Sequence, residues 1–304
     1  MAIIRPTHDA GLGEKYLDES KRLINKDGSF NLKRTGGLWQ ARNMYQWLIG
    51  LSWPAFLGLV LLLYLVTNCL FACAYLAVGI EQLSGINPEA GHFWSAFYFS
   101  SQTITTVGYG AIAPIGAGAN MLAAFEAFAG LTGFALVTGL LYGRFSKPNA
   151  KFLFSNNALI APYQGGKSLQ FRLVNVRSNI MMEVEAHVLL MVLDKENGHR
   201  RYYNLKLETK FIQFFPLNWT LVHLISEDSP LYNCTPQSLK DLDAELLVRI
   251  KGYDDSFGQT VQVRYSYKYN EIVHGARFLR VYESDADGNT HLSLNKIHDY
   301  EMVG

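Results

Sequence analysis

Charge is scarce in this chain. Asp, Glu, Lys and Arg make up 17% of its 304 residues and nearly cancel, at a net +1. Such a balance offers no basic face for a phosphate backbone, and no nucleic-acid partner is expected. The scarcity is also uneven, with none of these residues between Arg42 and Glu81 and none from Ala90 to Phe125. Cysteine is rarer still, at three residues. Cys69 and Cys73 share one helical face and Cys234 lies far from them, which indicates buried hydrophobes rather than a disulfide framework or a metal site. The opening MAIIRPTHDA lacks the basic-then-apolar layout of a cleaved signal, so the first apolar run is expected to stay in the mature protein.

Other signatures are broken or missing. Gly165-Gly166-Lys167-Ser168 looks like the tail of a phosphate-binding loop, but Ala161 stands where the first glycine belongs and a strand pattern follows. Asp285-Ala286-Asp287-Gly288 opens like a calcium loop, yet Lys296 occupies the position that needs a glutamate. There is no βαβ alternation and no glycine fingerprint after a strand, which counts against a nucleotide-binding domain. No nucleophile–base pair or paired carboxylates can be picked out. The chain is therefore not expected to be an enzyme, and no organic cofactor is implied.

What is present is long apolar runs. Leu51 to Ile80 carries no charge and exceeds the roughly 20 residues a helix needs to cross a bilayer, predicting an outer helix over 51–80. A second span, over 117–146, contains Glu126 as its one acid. Between them, Phe93 to Thr103 is apolar and aromatic but only about half a span long, which predicts a re-entrant helix over 92–104. Lys26, Lys33, Arg34 and Arg42 precede the first span, and Arg144, Lys147 and Lys151 follow the second; the connection between the spans has neither Lys nor Arg. Both termini are thus expected on the cytoplasmic side of the cell (inner) membrane. Residues 38–50 mix aromatics with a single cation and read as an amphipathic helix at the membrane surface, or else as an extension of the first span.

From Lys151 onward the pattern changes to period two. Val184, Ala186, Val188, Leu190 and Val192 alternate with other residues, as do Val261, Val263, Tyr265, Tyr267 and Tyr269. Turn signals at Asp254-Asp255 and Asp287-Gly288 separate such runs, predicting an antiparallel, immunoglobulin-like β-sandwich. The expected division is an N-terminal segment over 1–37, a surface helix over 38–50, a membrane domain over 51–148 and a cytoplasmic β-sandwich over 149–304.

The re-entrant helix leads into Thr106-Val107-Gly108-Tyr109-Gly110. Backbone at membrane depth cannot leave carbonyls unpaired unless protein or a water-filled path satisfies them. Glycine at alternate positions allows successive carbonyls to point one way. The pentad resembles the selectivity filter of potassium channels, where such oxygens replace the hydration shell of the ion. Thr106, Val107, Gly108 and Tyr109 are then expected to hold K+ as the permeant ion, with the Thr106 hydroxyl the innermost oxygen. One chain supplies one wall of the ring, so a homotetramer is expected.

Further matches narrow the resemblance. Ser52-Trp53-Pro54, Tyr142 to Pro148, Glu185-Ala186-His187-Val188, Glu227 to Tyr232 and Asn270-Glu271-Ile272 are similar to segments of the inward-rectifier potassium channel family, in particular its prokaryotic KirBac type. That resemblance, which runs from the surface helix to Asp299, implies a membrane pore of two transmembrane helices plus a re-entrant pore helix and filter, joined to the cytoplasmic sandwich. It implies a hinge near Gly130 and a constriction at Tyr142, although Tyr142 as an interfacial anchor and the glycines as packing sites fit the residues as well. Phe134 stands where strongly rectifying members carry an acid. Glu185 matches an acidic cytoplasmic-pore position, but Lys251 replaces a second acid, which implies weak rectification. Phe257, Gly258 and Gln259 resemble the loop at the cytoplasmic mouth, and an ordinary hairpin turn is the other reading. Arg42, Arg144 and Lys147 are either contacts for anionic phospholipids or ordinary membrane anchors. Glu126 is a functional candidate, behind the filter with hydroxyl partners or at a wet helix end. The competing function is a non-conducting, membrane-anchored β-sandwich binding protein.

Overall fold

The computed structural model describes residues 11, 22–32, 41–146, 151–194 and 197–303, with side chains for all of these except 41–43 and 88. The chain forms two compact units, Gly36–Lys147 and a second made of Met1–Thr35 with Pro148–Gly304.

The first unit is helical. Helix α1, Ala41–Gly50, precedes α2, Trp53–Val78, which starts where Pro54 occupies the first turn and stops where Gly79 takes φ 119. At 26 residues α2 is about 39 Å long, more than the ~30 Å hydrocarbon core. A short helix, α3, spans His92–Ile104, and α4 spans Ala117–Phe145. By length and composition α2 and α4 could each cross a membrane. Their outward faces fit that, since Leu61, Leu62, Leu63 and Leu70 of α2 and Phe125, Phe128 and Leu131 of α4 are all exposed in the single chain. The packed centre is built from Ala72, Tyr75, Leu83, Ala96, Phe99 and Ala119. Three of these are alanines, whose small side chains let the three helices approach closely. A two-residue ladder, β1 (Leu83–Ser84) against β2 (Ala113–Pro114), ties the segments before α3 and α4 together.

The second unit is a sandwich of two five-stranded sheets. One sheet contains β6 (Met181–Asp194), β7 (His199–Asn204), β8 (Phe211–Phe214), β10 (Glu245–Asp254) and β11 (Gln259–Lys268), in the order β11-β10-β6-β7 with β8 also on β6. The other contains β3 (Phe152–Phe154), β4 (Ala158–Tyr163), β5 (Gly166–Asn175), β9 (Asn218–Leu224) and β12 (Ile272–His274). Most pairings are antiparallel, but β12 joins β4 in parallel, a detail that period-two patterning cannot convey. Alternate residues Val184, Ala186, Val188 and Leu190 of β6 and Leu246, Val248 and Ile250 of β10 point into one core. Facing rings lock the sheets, with Phe154 stacked on Tyr265 at 4.4 Å and Phe171 against Tyr267 at 5.4 Å.

Residues 22–32 pack on the same sandwich. The backbone N–H of Leu23 donates to Glu245 at 3.1 Å, and Ser266 Oγ donates to the Ile24 carbonyl at 2.7 Å. Glu245 is fully buried, and these backbone donors offset its desolvation.

Candidate functional site

The geometry begins at the C-terminus of α3. Beyond Ile104 the backbone takes positive φ at Thr106 (59), Gly108 (52) and Gly110 (81), and at neither Val107 nor Tyr109. For a β-branched threonine this is a strained conformation, of the kind that accumulates at functional sites. A Cβ on Gly108 or Gly110 would meet nothing within 4 Å, so the handedness of the turn, not space, demands glycine there.

The alternation separates donors from acceptors. Thr106 N donates to the Thr103 carbonyl at 3.0 Å, and Val107 N and Gly108 N both donate to the Gln102 carbonyl, at 2.9 and 3.1 Å. Tyr109 N donates to Gln102 Oε1 at 3.1 Å, while Gln102 Nε2 reaches the Ile112 carbonyl at 3.3 Å. Gln102 thus gathers three consecutive amides onto the helix side. Among the described residues no donor reaches the carbonyls of Thr106 to Gly110, which leaves a row of bare acceptors suited to a desolvated cation. Gln102 was not singled out from the sequence; a glutamine four residues before the pentad was the available signal.

Behind this segment lies a polar cluster. Glu126 of α4 is fully buried, accepts from Tyr75 Oη of α2 at 2.7 Å and shares a hydrogen bond with Ser100 Oγ of α3. Of the two positions left open for this acid, the structure has the one with hydroxyl partners. Gly130, one turn along α4, is also buried, and a Cβ there would stand 2.1 Å from the Ile104 carbonyl oxygen. Phe134 and Tyr142 are by contrast 72% and 75% exposed in the single chain.

Arg144 ends α4 in a fixed position. Its Nη1 donates to the carbonyls of Leu48 and Ile49 at 2.8 and 3.0 Å, and its Nη2 to that of Leu51 at 2.7 Å. These are carbonyls at the end of α1, the groups a helix leaves unpaired. The guanidinium also lies over the rings of Trp53 and Phe56, at 4.7 and 4.5 Å. The side chain of Arg42 and all of Lys147 lie outside the described residues.

In the sandwich, Glu185 on β6 meets Lys210 Nζ at 2.9 Å and His187 Nε2 at 3.2 Å. Chiefly the Lys210 bond, with His187 adding to it, holds its carboxyl below the usual carboxylate range despite the opposing effect of burial. Lys251 is its cross-strand partner on β10, and the register slips just beyond, between Lys251 and Tyr253. Residues 255–258 form the turn from β10 to β11, where Asp254 Oδ1 accepts from Ser256 N and Phe257 N at 3.1 and 3.4 Å. Gly258 takes φ 60 in that turn and Gln259 opens β11. Filter-like segment, Glu126 and Gly130 therefore come together in one unit; Glu185 and the Phe257 turn belong to the other.

Known proteins fit this arrangement. A family model described as an inward rectifier potassium channel C-terminal domain matches residues 152–304, and one described as an ion channel matches residues 58–147. The inward rectifier potassium channel Kirbac3.1 of Paramagnetospirillum magnetotacticum is 38% identical over 94% of this chain and 98% of its own length. The ATP-sensitive inward rectifier potassium channel 12 of Gallus gallus is 25% identical over 84% of this chain, and the inward rectifier potassium channel 18 of Homo sapiens 26% over 84%. This chain spans 66% and 65% of the length of those two animal proteins.

Proposed function

The chain belongs to the inward rectifier potassium channel family, and on that premise we propose that it conducts K+ passively through a homotetrameric pore. The observation that carries the proposal is the alternating backbone of Thr106 to Gly110, with its amides gathered by Gln102 and its carbonyls bare. Around an axis, four such rows form stacked rings of oxygens that replace the water of a permeant K+. The 83% exposure of Tyr109 in the single chain is consistent with faces that neighbouring subunits cover.

The remaining roles follow from position and charge. Phe134 and Tyr142, exposed on α4, line the inner path, and closure occurs where apolar rings of Tyr142 dewet it. Gly130 sets the approach of α4 to α3 and is the point about which α4 moves. Glu185 faces the cytoplasmic path with its charge largely compensated by Lys210, and the turn carrying Phe257, Gly258 and Gln259 forms the mouth. With an apolar ring at Phe134 and a compensated Glu185, little counter-charge remains for polyamines, so rectification is weak. Anionic phospholipids act at the membrane-surface cations Arg42 and Lys147, and Arg144 carries their effect to α1. Both termini are cytoplasmic, as the Lys and Arg distribution favours.

The test is ion flux into potassium-loaded liposomes. Uptake of rubidium or potassium in preference to sodium, blocked by barium, is the expected result. Uptake indifferent to the cation, or absent from a tetrameric protein and from its Tyr142→Ala variant, would overturn the reading.

A further inference from the structure

Four polar side chains meet at membrane depth with almost no contact with solvent. Asn68 and Tyr75 come from α2, Ser100 from α3 and Glu126 from α4, and each is at most 1% exposed. Tyr75 Oη lies 2.7 Å from Glu126 Oε2, Ser100 Oγ bonds Glu126 Oε1, and the same Ser100 Oγ lies 3.0 Å from Asn68 Oδ1. The amide of Asn68 has its orientation set independently, because Nδ2 donates to the Tyr64 carbonyl at 2.7 Å.

Counting hydrogens decides the state of the acid. Three oxygen–oxygen contacts need three hydrogens between them. Tyr75 and Ser100 carry one each, and Asn68 Oδ1 carries none. The third must sit on Glu126. The bonds then run in one direction: Glu126 donates to Ser100, Ser100 donates to Asn68, and Tyr75 donates to the second oxygen of Glu126. An ionised carboxylate would leave Ser100 serving two acceptors with one hydrogen, and would bury an unpaired charge.

We propose that Glu126 is a positioning residue for conduction, held as a neutral carboxylic acid that ties the pore helix α3 to both membrane helices. Ser100 stands two residues before Gln102, and Gln102 holds the amides of Val107, Gly108 and Tyr109. Fixing Ser100 against α2 and α4 therefore fixes the depth at which the filter carbonyls stand. Tyr64 Oη, bonded to Ser101 Oγ at 2.6 Å, adds a second tie between α2 and the same helix. The proposal rests on the conduction reading for its functional half, whereas the protonation of Glu126 stands without it.

The experiment has two readouts on the full-length tetramer. Infrared spectra at neutral pH, where exposed carboxyls are ionised, are compared between the wild type and Glu126→Gln. Loss of a protonated-carboxyl C=O band in the variant is expected; identical spectra in that region overturn the neutral acid. In liposomes, Glu126→Gln retains the rubidium-over-sodium preference, because its amide donates to Ser100 and its oxygen accepts from Tyr75. Ser100→Ala, which removes the link in a smaller step than Glu126→Ala, lowers that preference roughly tenfold (about 1.4 kcal/mol). An unchanged preference in a tetrameric Ser100→Ala protein overturns the positioning role. A wild type without selective uptake would instead count against conduction, and the infrared result would still decide the protonation.

Discussion

The backbone of Gly130 lies directly beneath the carbonyl of Ile104, so closely that a Cβ on Gly130 would stand 2.1 Å from that oxygen. The obstacle is backbone, which no rotamer change can relieve. Gly130→Ala is therefore expected to push α4 away from α3 at a cost of about 1–3 kcal/mol per chain. Thermal unfolding of the purified variant beside the wild type checks this, and an unshifted midpoint would mean that the close approach to Ile104 does not limit this position.

Gln102 holds the segment from Val107 to Tyr109 by two routes, its own carbonyl and its side chain. Gln102→Leu keeps the first and removes the second, leaving Tyr109 N without its acceptor at a cost of about 1–3 kcal/mol. Rubidium-over-sodium selectivity is expected to fall while assembly persists. Full selectivity in the leucine variant would show that the side-chain bond does not position the filter.

Arg144 joins α4 to α1 through three carbonyls and two aromatic faces. Lysine offers one point charge in place of a planar fork, so Arg144→Lys is not conservative here. Amide exchange across Ala41–Gly50 is expected to quicken roughly tenfold in that variant, because local opening of α1 becomes easier. Protection equal to the wild type would mean that packing alone holds α1.

Lys210 is the main reason that the Glu185 carboxyl titrates below its ordinary range. A carboxyl depressed in this way contributes stability above its unfolded value and loses it as pH falls through its folded value. Because Glu185 is about a third exposed, the pair adds little to stability. Lys210→Ala should raise the Glu185 titration toward that of a free glutamate, read by carboxyl NMR, and should deepen block by spermine in bilayer recordings. An unmoved titration would exclude Lys210 as the cause.

Much of this protein is legible in one dimension because its two halves obey different periods. A bilayer demands uncharged length, so the spans around Leu57–Val66 and Ala117–Phe145 announce themselves by what they lack. A sandwich demands alternation, which Val184 to Val192 displays. The pentad from Thr106 to Gly110 is equally plain, since glycine at 108 and 110 relieves the handedness those alternate positions require. Family membership followed from these local features together with the short motifs of the soluble half.

Tertiary structure alone decided which polar groups meet. Asn68 and Tyr75 of α2, Ser100 of α3 and Glu126 of α4 come from three segments far apart in sequence, and nothing in the spacing of those segments pairs them; burial among three packed helices does, because each must find a partner where there is no water. The same holds for Arg144, whose charge at the end of a span fits a lipid contact or an ordinary anchor, and whose reach to the carbonyls of Leu48, Ile49 and Leu51 no spacing in the sequence conveys. Composition and period determine what a segment can be, since each residue carries its own hydropathy and backbone preference. Contact between distant segments depends on how their faces pack, and that is a property of the folded chain.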